Sequence, residues 1–298
     1  LMVGILQIGM GLFRVGFLVN FLSHPVWVGF TAAAAIIIGF SQLKHVLGFS
    51  VPRFEHFYEQ IAYTFSHLNE INWPTFIIGL SSILILLFHK YQAARLFKRW
   101  GLPDGLVGPL TKSAPLIIVV GFTLLVQWLN LDQTAGVKIV GEVPTGLPPL
   151  TMPSIDLNIW SLLLPTALAI SFVGYMESVS VAKSLASKRR QKIDADQELI
   201  ALGAANVGAA FTGGYPVTGG FSRSVVNFSA GANTGLASIF TGTLMLVAVL
   251  FLTPLFYYLP TAVLGAIILV AVINLIDVKA FKHIWHYSRG DAAALIIT

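Results

Sequence analysis

The chain has no cysteine among its 298 residues. That excludes disulfide staples, thiolate nucleophiles and thiolate metal sites at once. Charge is almost as scarce. Only 10% of the residues are Asp, Glu, Lys or Arg, against about 25% in a soluble domain. Catalytic signatures are missing too: no HExxH, GxSxG or CxxC occurs. The seven histidines, at 24, 45, 56, 67, 89, 283 and 286, fall mostly at the ends of apolar runs or in loops. That placement argues against a metal centre. GLVGPLTKS (105–113) has the outline of a phosphate loop. No Gly directly precedes Lys112, no strand leads in, and Pro109 interrupts it, so the motif is rejected. No cofactor and no enzyme activity are expected.

What the chain does have is long apolar runs. It is 56% hydrophobic, and several runs reach the ~20 residues that cross a bilayer core as a helix. The runs are too many and too long for a buried soluble core. An all-α polytopic membrane protein is expected. Candidate spans lie near 1–22, 26–48, 74–89, 115–131, 159–183, 197–212, 234–258 and 260–277, with a short helix at 222–231 and a further span opening near 291. The loops at 49–73 and 132–158 read as polar, with short extended pieces such as VKIVGEV. Both ends fall within apolar runs, so a longer membrane protein is expected, in a bacterial inner membrane or a plasma membrane.

The basic residues set the orientation. Thirteen of the 18 Lys and Arg lie in 90–112, 183–192 and 279–289, three loops that share one side if the spans alternate. The loops at 49–73 and 132–158 hold only Arg53 and Lys138. The basic side is therefore expected to be cytoplasmic. This bias accounts for the net charge of +5 without a nucleic-acid partner, and it also suits anionic lipid.

The alternation works only if the helix at 222–231 and the glycine-rich TGGYPVTGG before it form one broken span. Non-helical backbone at membrane depth survives only where protein buries it or a water-filled cavity solvates it. A cavity is therefore expected there. Residues 23–46 and 258–281 also resemble each other. Each has a Pro before the span, an early Gly, a small-residue run and a closing lysine, Lys44 or Lys279. On the drawn topology they run in opposite senses, as in inverted-repeat transporters.

Two charges lie deep in spans: Glu177, in AISFVGYMESVSVAK, and Arg223, in TGGFSRSVV. Arg14 sits in the first run, at a depth the sequence leaves open. Such a charge costs at least about 2.5–3.5 kcal/mol on insertion scales, so it marks a cavity or a partner. Arg223 opens the short helix behind Gly219, Gly220 and Phe221. A helix start offers unpaired N–H groups and a partial positive charge. Ser222 fits the N-cap position and Ser224 adds a hydroxyl. Together these make an anion site. The plainer alternative is that Arg223 is a buried partner of Glu177 and binds nothing. Glu177, with Ser171, Ser178 and Ser180 nearby, is either that partner or a carboxylate that takes up and releases a proton during transport. Asp194, Asp196 and Glu198 read simply as acids at a helix start. Asn227-Phe-Ser229 matches a glycosylation triplet but lies at membrane depth.

Four stretches carry a family resemblance: SHPVWVGFTAAAAIIIGFSQLKHVLG, FVGYMESVSVAKSLASK, GGYPVTGGFSRSVVNFSAGANT and LPTAVLGAIILVAVINLIDV. The chain resembles the SulP family of sulfate permeases and anion exchangers, which includes solute carrier family 26. The resemblance implies a seven-plus-seven inverted-repeat transporter fold, uracil-permease-like, with discontinuous half-helices. This chain would match segments four through twelve and the start of thirteen. It would be incomplete at both ends and would lack the cytoplasmic STAS domain. Residues 1–22 and 159–258 would be core-type segments, and 23–131 and 259–298 gate-type segments. The resemblance also implies secondary active transport of an inorganic anion, sulfate first, by elevator-type alternating access and proton-coupled symport. A coupling proton or sodium and a homodimer in the bilayer are implied with it. Ser222, Arg223 and Ser224 carry over as anion-binding, with Gly219, Gly220 and Phe221 lining the approach and Glu177 coupling protons. Bicarbonate or C4-dicarboxylate transport, anion exchange, and an anion-dependent channel or motor stay open as alternatives.

Overall fold

The computed structural model describes the chain except for residues 21–23, 53, 55, 145, 221, 222, 225, 226, 229, 230, 274, 275, 277, 288 and 298. The described residues are helical with no named strand. They cluster into two compact units, one of Leu1–Ser23 and Gly146–Leu250, the other of His24–Thr145 and Phe251–Thr298.

In the first unit, α1 (Met2–Leu12) packs along α10 (Ala195–Phe211), and both adjoin α9 (Leu157–Arg189). Small residues permit this. A Cβ on Gly4 would lie 2.7 Å from the Gly203 carbonyl, and one on Gly203 would lie 2.7 Å from the Gly4 carbonyl. Two glycines therefore let the backbones touch, the close-packing device of membrane helices. Asp194 caps α10 by accepting from the backbone N–H groups of Asp196 and Gln197, with Asp196 and Glu198 in the first turn as the sequence suggests. α9 runs to 33 residues, capped at its start by Asp156 and ended by Arg190 at φ 53°.

The first apolar run is not one continuous helix. α1 stops at Leu12, Arg14 takes φ 57°, and a 3₁₀ turn covers Val15–Asn20. The reason is a competing set of partners. Gly16 N–H donates to Asp196 Oδ1 at 2.8 Å, and the Gly16 carbonyl accepts from the Tyr175 hydroxyl at 2.6 Å. Side chains from α10 and α9 thus satisfy backbone groups that a helical ladder would otherwise have used. Beyond the irregular backbone of 214–220 and the helical pairs Arg223–Ser224 and Asn227–Phe228 comes α11 (Leu236–Val247). It continues through a π turn at Ala248–Leu252 into one apolar helix ending at Phe256.

The second unit holds α2 (His24–Leu47), α3 (Phe57–Ser66), α4 (Trp73–Phe88), α5 (Ala94–Arg99), α6 (Asp104–Lys112), α7 (Ala114–Leu129), α8 (Leu131–Thr134), α12 (Thr261–Ile273), α13 (Val278–Tyr287) and α14 (Arg289–Ile297). α4 and α5 join through a π turn into a 27-residue apolar helix, longer than the expected 74–89. α6 and α7 meet at a 50° bend. Among the described residues, three helices are long and apolar enough to cross a membrane, or four if the bent pair is one span. Ile78, Leu86, Ile118, Val126, Ala262 and Val263 form the centre of this unit's core.

The two resembling stretches pack on each other in opposite directions. Gly39 of α2 faces Leu269 and Val272 of α12, while Gly265 of α12 faces Gln42 and His45. The two loops expected to share a side are also bonded together. Asn72 caps α4 through Thr75 and donates to the Ala135 carbonyl at 2.9 Å. Lys138 Nζ donates to Ser50 Oγ at 2.9 Å. The expected extended piece is short: Ile139 bridges Pro260 antiparallel, with Val140 N–H donating to the Leu259 carbonyl.

Candidate functional site

The stretch expected to be a broken crossing, 212–231, lies wholly within the first unit. Residues 214–220 form no helix or strand, so their backbone groups need other partners. Asn206, on α10 and 3% exposed, clamps Val217 from both sides. Its Oδ1 accepts from Val217 N–H at 2.8 Å, and its Nδ2 donates to the Val217 carbonyl at 3.0 Å. The same amide donates to Gln7 Oε1 at 3.0 Å, and Gln7 Nε2 donates to the Ser171 carbonyl at 3.3 Å. A polar knot inside an apolar unit is costly unless every member is bonded, and these members are.

One turn of α9 holds the next residues. Gly219 N–H donates to Ser178 Oγ at 2.8 Å, and Thr218 Oγ1 donates to the Gly174 carbonyl at 2.8 Å. Ser178 Oγ lies 3.1 Å from Thr218 Oγ1. The proton order follows, because Thr218 has spent its hydrogen on Gly174: Ser178 donates to Thr218. Only glycine fits at 219, since a Cβ there would lie 2.8 Å from Ser178 Oγ and 3.1 Å from its Cα.

Arg223–Ser224 and Asn227–Phe228 are helical. Ser224 N–H donates to the Gly220 carbonyl at 3.1 Å. The expected cap, Ser222, and Phe221 lie outside the described residues. A Schellman pair of bonds follows. Gly231, at φ 86°, donates to the Phe228 carbonyl, and Ala232 donates to the Asn227 carbonyl. Arg223 is exposed, and its guanidinium folds back toward Gly220, with Nε 3.7 Å from where a Cβ would stand.

A cavity of about 390 Å³ lies beside this junction, lined by Ser178, Glu198, Ala205, Thr218, Gly219 and Ser224 among others. The structure thus brings Gly219 and Ser224 to one wall, with Arg223 and Gly220 adjoining. Glu177 is half-buried on α9 and does not line this cavity. Among the described residues, Glu177 and Arg223 form no ion pair, so the simple buried-partner alternative is not the observed arrangement. Glu198, which reads as a plain helix-start acid, also lines the cavity. The sequence reading passed over Asn206, Gln7 and Thr218. An uncharged amide within an apolar run, as in GILQIGM and GAANVGAA, was the signal available.

The sequence model of the sulfate permease family matches residues 1–298. Among curated proteins, the chloroplastic sulfate transporter 4.1 of Arabidopsis thaliana is 38% identical over 299 residues, covering 100% of this chain. The chain spans 42% of that relative's length. Among solved structures, SLC26A9 superposes with a TM-score of 0.89 at 25% identity, over 99% of this chain and 45% of that one. The transmembrane domain of a cyanobacterium bicarbonate transporter, BicA, superposes with a TM-score of 0.79 at 22% identity, over 99% of this chain and 70% of that one, a likeness of fold alone.

Proposed function

The chain belongs to the sulfate permease family, and from that premise we propose that it forms the anion-handling part of a secondary active transporter whose first substrate is sulfate. The observation that carries this reading is the junction at Gly219–Gly220, where clamped, non-helical backbone gives way to helical residues, Arg223 the first of them described, beside a cavity lined in part by Ser178, Glu198, Thr218 and Ser224. Arg223 supplies the full charge. Ser222 and Ser224 would supply hydroxyls, Gly219 and Gly220 leave room for an anion, and Phe221 would line the approach. The relatedness to a sulfate transporter supports sulfate.

Every described member of this constellation belongs to one compact unit. That supports the reading that Leu1–Ser23 and Gly146–Leu250 carry the anion, while the other unit acts as the gate of an elevator-type cycle. Glu177, half-buried and free of Arg223, is the group proposed to take up a coupling proton. A homodimer is proposed on the family premise.

Labelled sulfate uptake into proteoliposomes tests the reading, with bicarbonate, succinate and chloride as competitors. Unlabelled sulfate should compete more strongly than any of these, and Arg223→Ala should weaken every anion at once. Undiminished sulfate binding in Arg223→Ala would remove the site assignment. Charge movement without net flux would favour a motor instead.

A further inference from the structure

The described helical residues behind Gly220, Arg223–Ser224 and Asn227–Phe228, are too few to hold their place without outside anchors, since isolated helices below ~12–15 residues are marginal. The first anchor is Ser178, which accepts from Gly219 N–H at 2.8 Å. A second anchor lies on the same helix. Arg189 Nη2 donates to the Ala232 carbonyl at 2.9 Å, and the Arg189 guanidinium lies 4.7 Å from the centre of the Phe228 ring. Ser178 and Arg189 are eleven residues apart on α9. Eleven residues make just over three turns, so both side chains leave one face, about 16 Å apart. Gly220 and Gly231, where the helical bonds open and close, are also eleven residues apart. The residues of α9 between the two anchors on that face, Val181, Ala182 and Leu185, line the cavity rather than fill it. Gly219 and Ala232 are thus both held by side chains of that face.

We propose that Arg189 is a positioning residue for anion binding: it fixes Phe228 and Ala232 and thereby limits where Arg223, five residues before Phe228, presents its guanidinium. This rests on the anion-site reading above. In the basic loop that orients the chain, Arg189 then has a second role that its neighbour Arg190, exposed and at the left-handed cap, does not share.

The test measures sulfate uptake kinetics of the full chain in proteoliposomes. It also measures the distance distribution between spin labels on Ser184→Cys and Asn227→Cys, both exposed positions in a chain with no cysteine of its own. Arg189→Ala should raise KM by about tenfold, the factor that loss of one charge-assisted hydrogen bond carries, with kcat held. A merely structural role would lower the amount of active protein and leave KM alone. Arg189→Lys, which keeps a cation over Phe228 and a donor, should restore most of the wild-type KM, and Arg189→Gln should fall between. The distance distribution should broaden in Arg189→Ala and stay narrow in Arg189→Lys. An unchanged KM in Arg189→Ala, while Arg223→Ala still abolishes binding, overturns the role of Arg189 and leaves the anion site standing. If Arg223→Ala binds sulfate normally, the site reading falls and the distance distribution alone decides, an unbroadened one overturning the anchor. Should Arg189→Ala not fold, Arg189→Gln carries the test, and a wild-type KM in it overturns the proposal.

Discussion

Asn206 shows what a single buried amide does in a chain this apolar. It supplies partners for both backbone groups of Val217 and closes a bridge to Gln7. Replacing it with Leu keeps the bulk and leaves these groups unpaired in a dry setting, at about 1–3 kcal/mol for each. Asn206→Leu should therefore lower the thermal midpoint in detergent by far more than the same change at a lipid-facing position. Asn206→Asp, which keeps the acceptor for Val217 N–H, should fall between. Glu177 invites a different measurement. With its carboxylate not committed to Arg223, Glu177→Gln should leave sulfate binding largely intact and abolish the response of uptake to a pH gradient. A mutant with the wild-type pH response would remove proton coupling through this residue. The sequence made Glu177 and Arg223 visible, because a charge inside an apolar run is expensive and therefore conspicuous. It hid Asn206 and Gln7, because a neutral amide costs less and its partners lie 199 residues apart.

At the scale of elements, the legible features were those with a local physical cause. The acids at the start of α10, the break before Arg223 and the antiparallel pair α2 and α12 all follow from composition or pattern. The end of α1 was not legible. Its helix stops because Asp196 and Tyr175, far along the chain, take the backbone groups of Gly16, and no local pattern reveals a distant partner. The α1–α10 crossing gives a clean test of close packing. Gly4→Leu or Gly203→Leu would force a side chain into the opposite carbonyl and should abolish folded protein in a detergent solubilisation assay. Gly9→Leu, on the same helix with nothing within 4 Å of its Cβ position, should be tolerated. Equal behaviour at positions 4 and 9 would contradict the crossing.

At the scale of the whole molecule, the chain faces outward with its apolar side. Trp128 is 83% exposed and Leu162 is 79% exposed, the inverse of a soluble protein and the condition for contact with lipid. On the positive-inside rule the basic loops are expected on the cytoplasmic side. With no native cysteine in the chain, Thr134→Cys and Ser187→Cys report this directly. A membrane-impermeant maleimide added outside intact cells should label Thr134→Cys and spare Ser187→Cys, and the pattern should reverse in inside-out vesicles. Labelling of both from outside would overturn the assigned topology.

The backbone passes between the two units at Ser23–His24, at Thr145–Gly146 and at Leu250–Phe251. These links differ mechanically. The last lies inside the π turn of a continuous 21-residue helix, a rod with no length to give. The Thr145–Gly146 link is flanked by 141–144 and 147–156, which belong to no helix or strand and can span up to ~3.3–3.6 Å per residue. One tether is stiff and the other has slack. The helical link fixes both a length and a direction along the chain, whereas the link at Gly146 fixes only an upper limit of length.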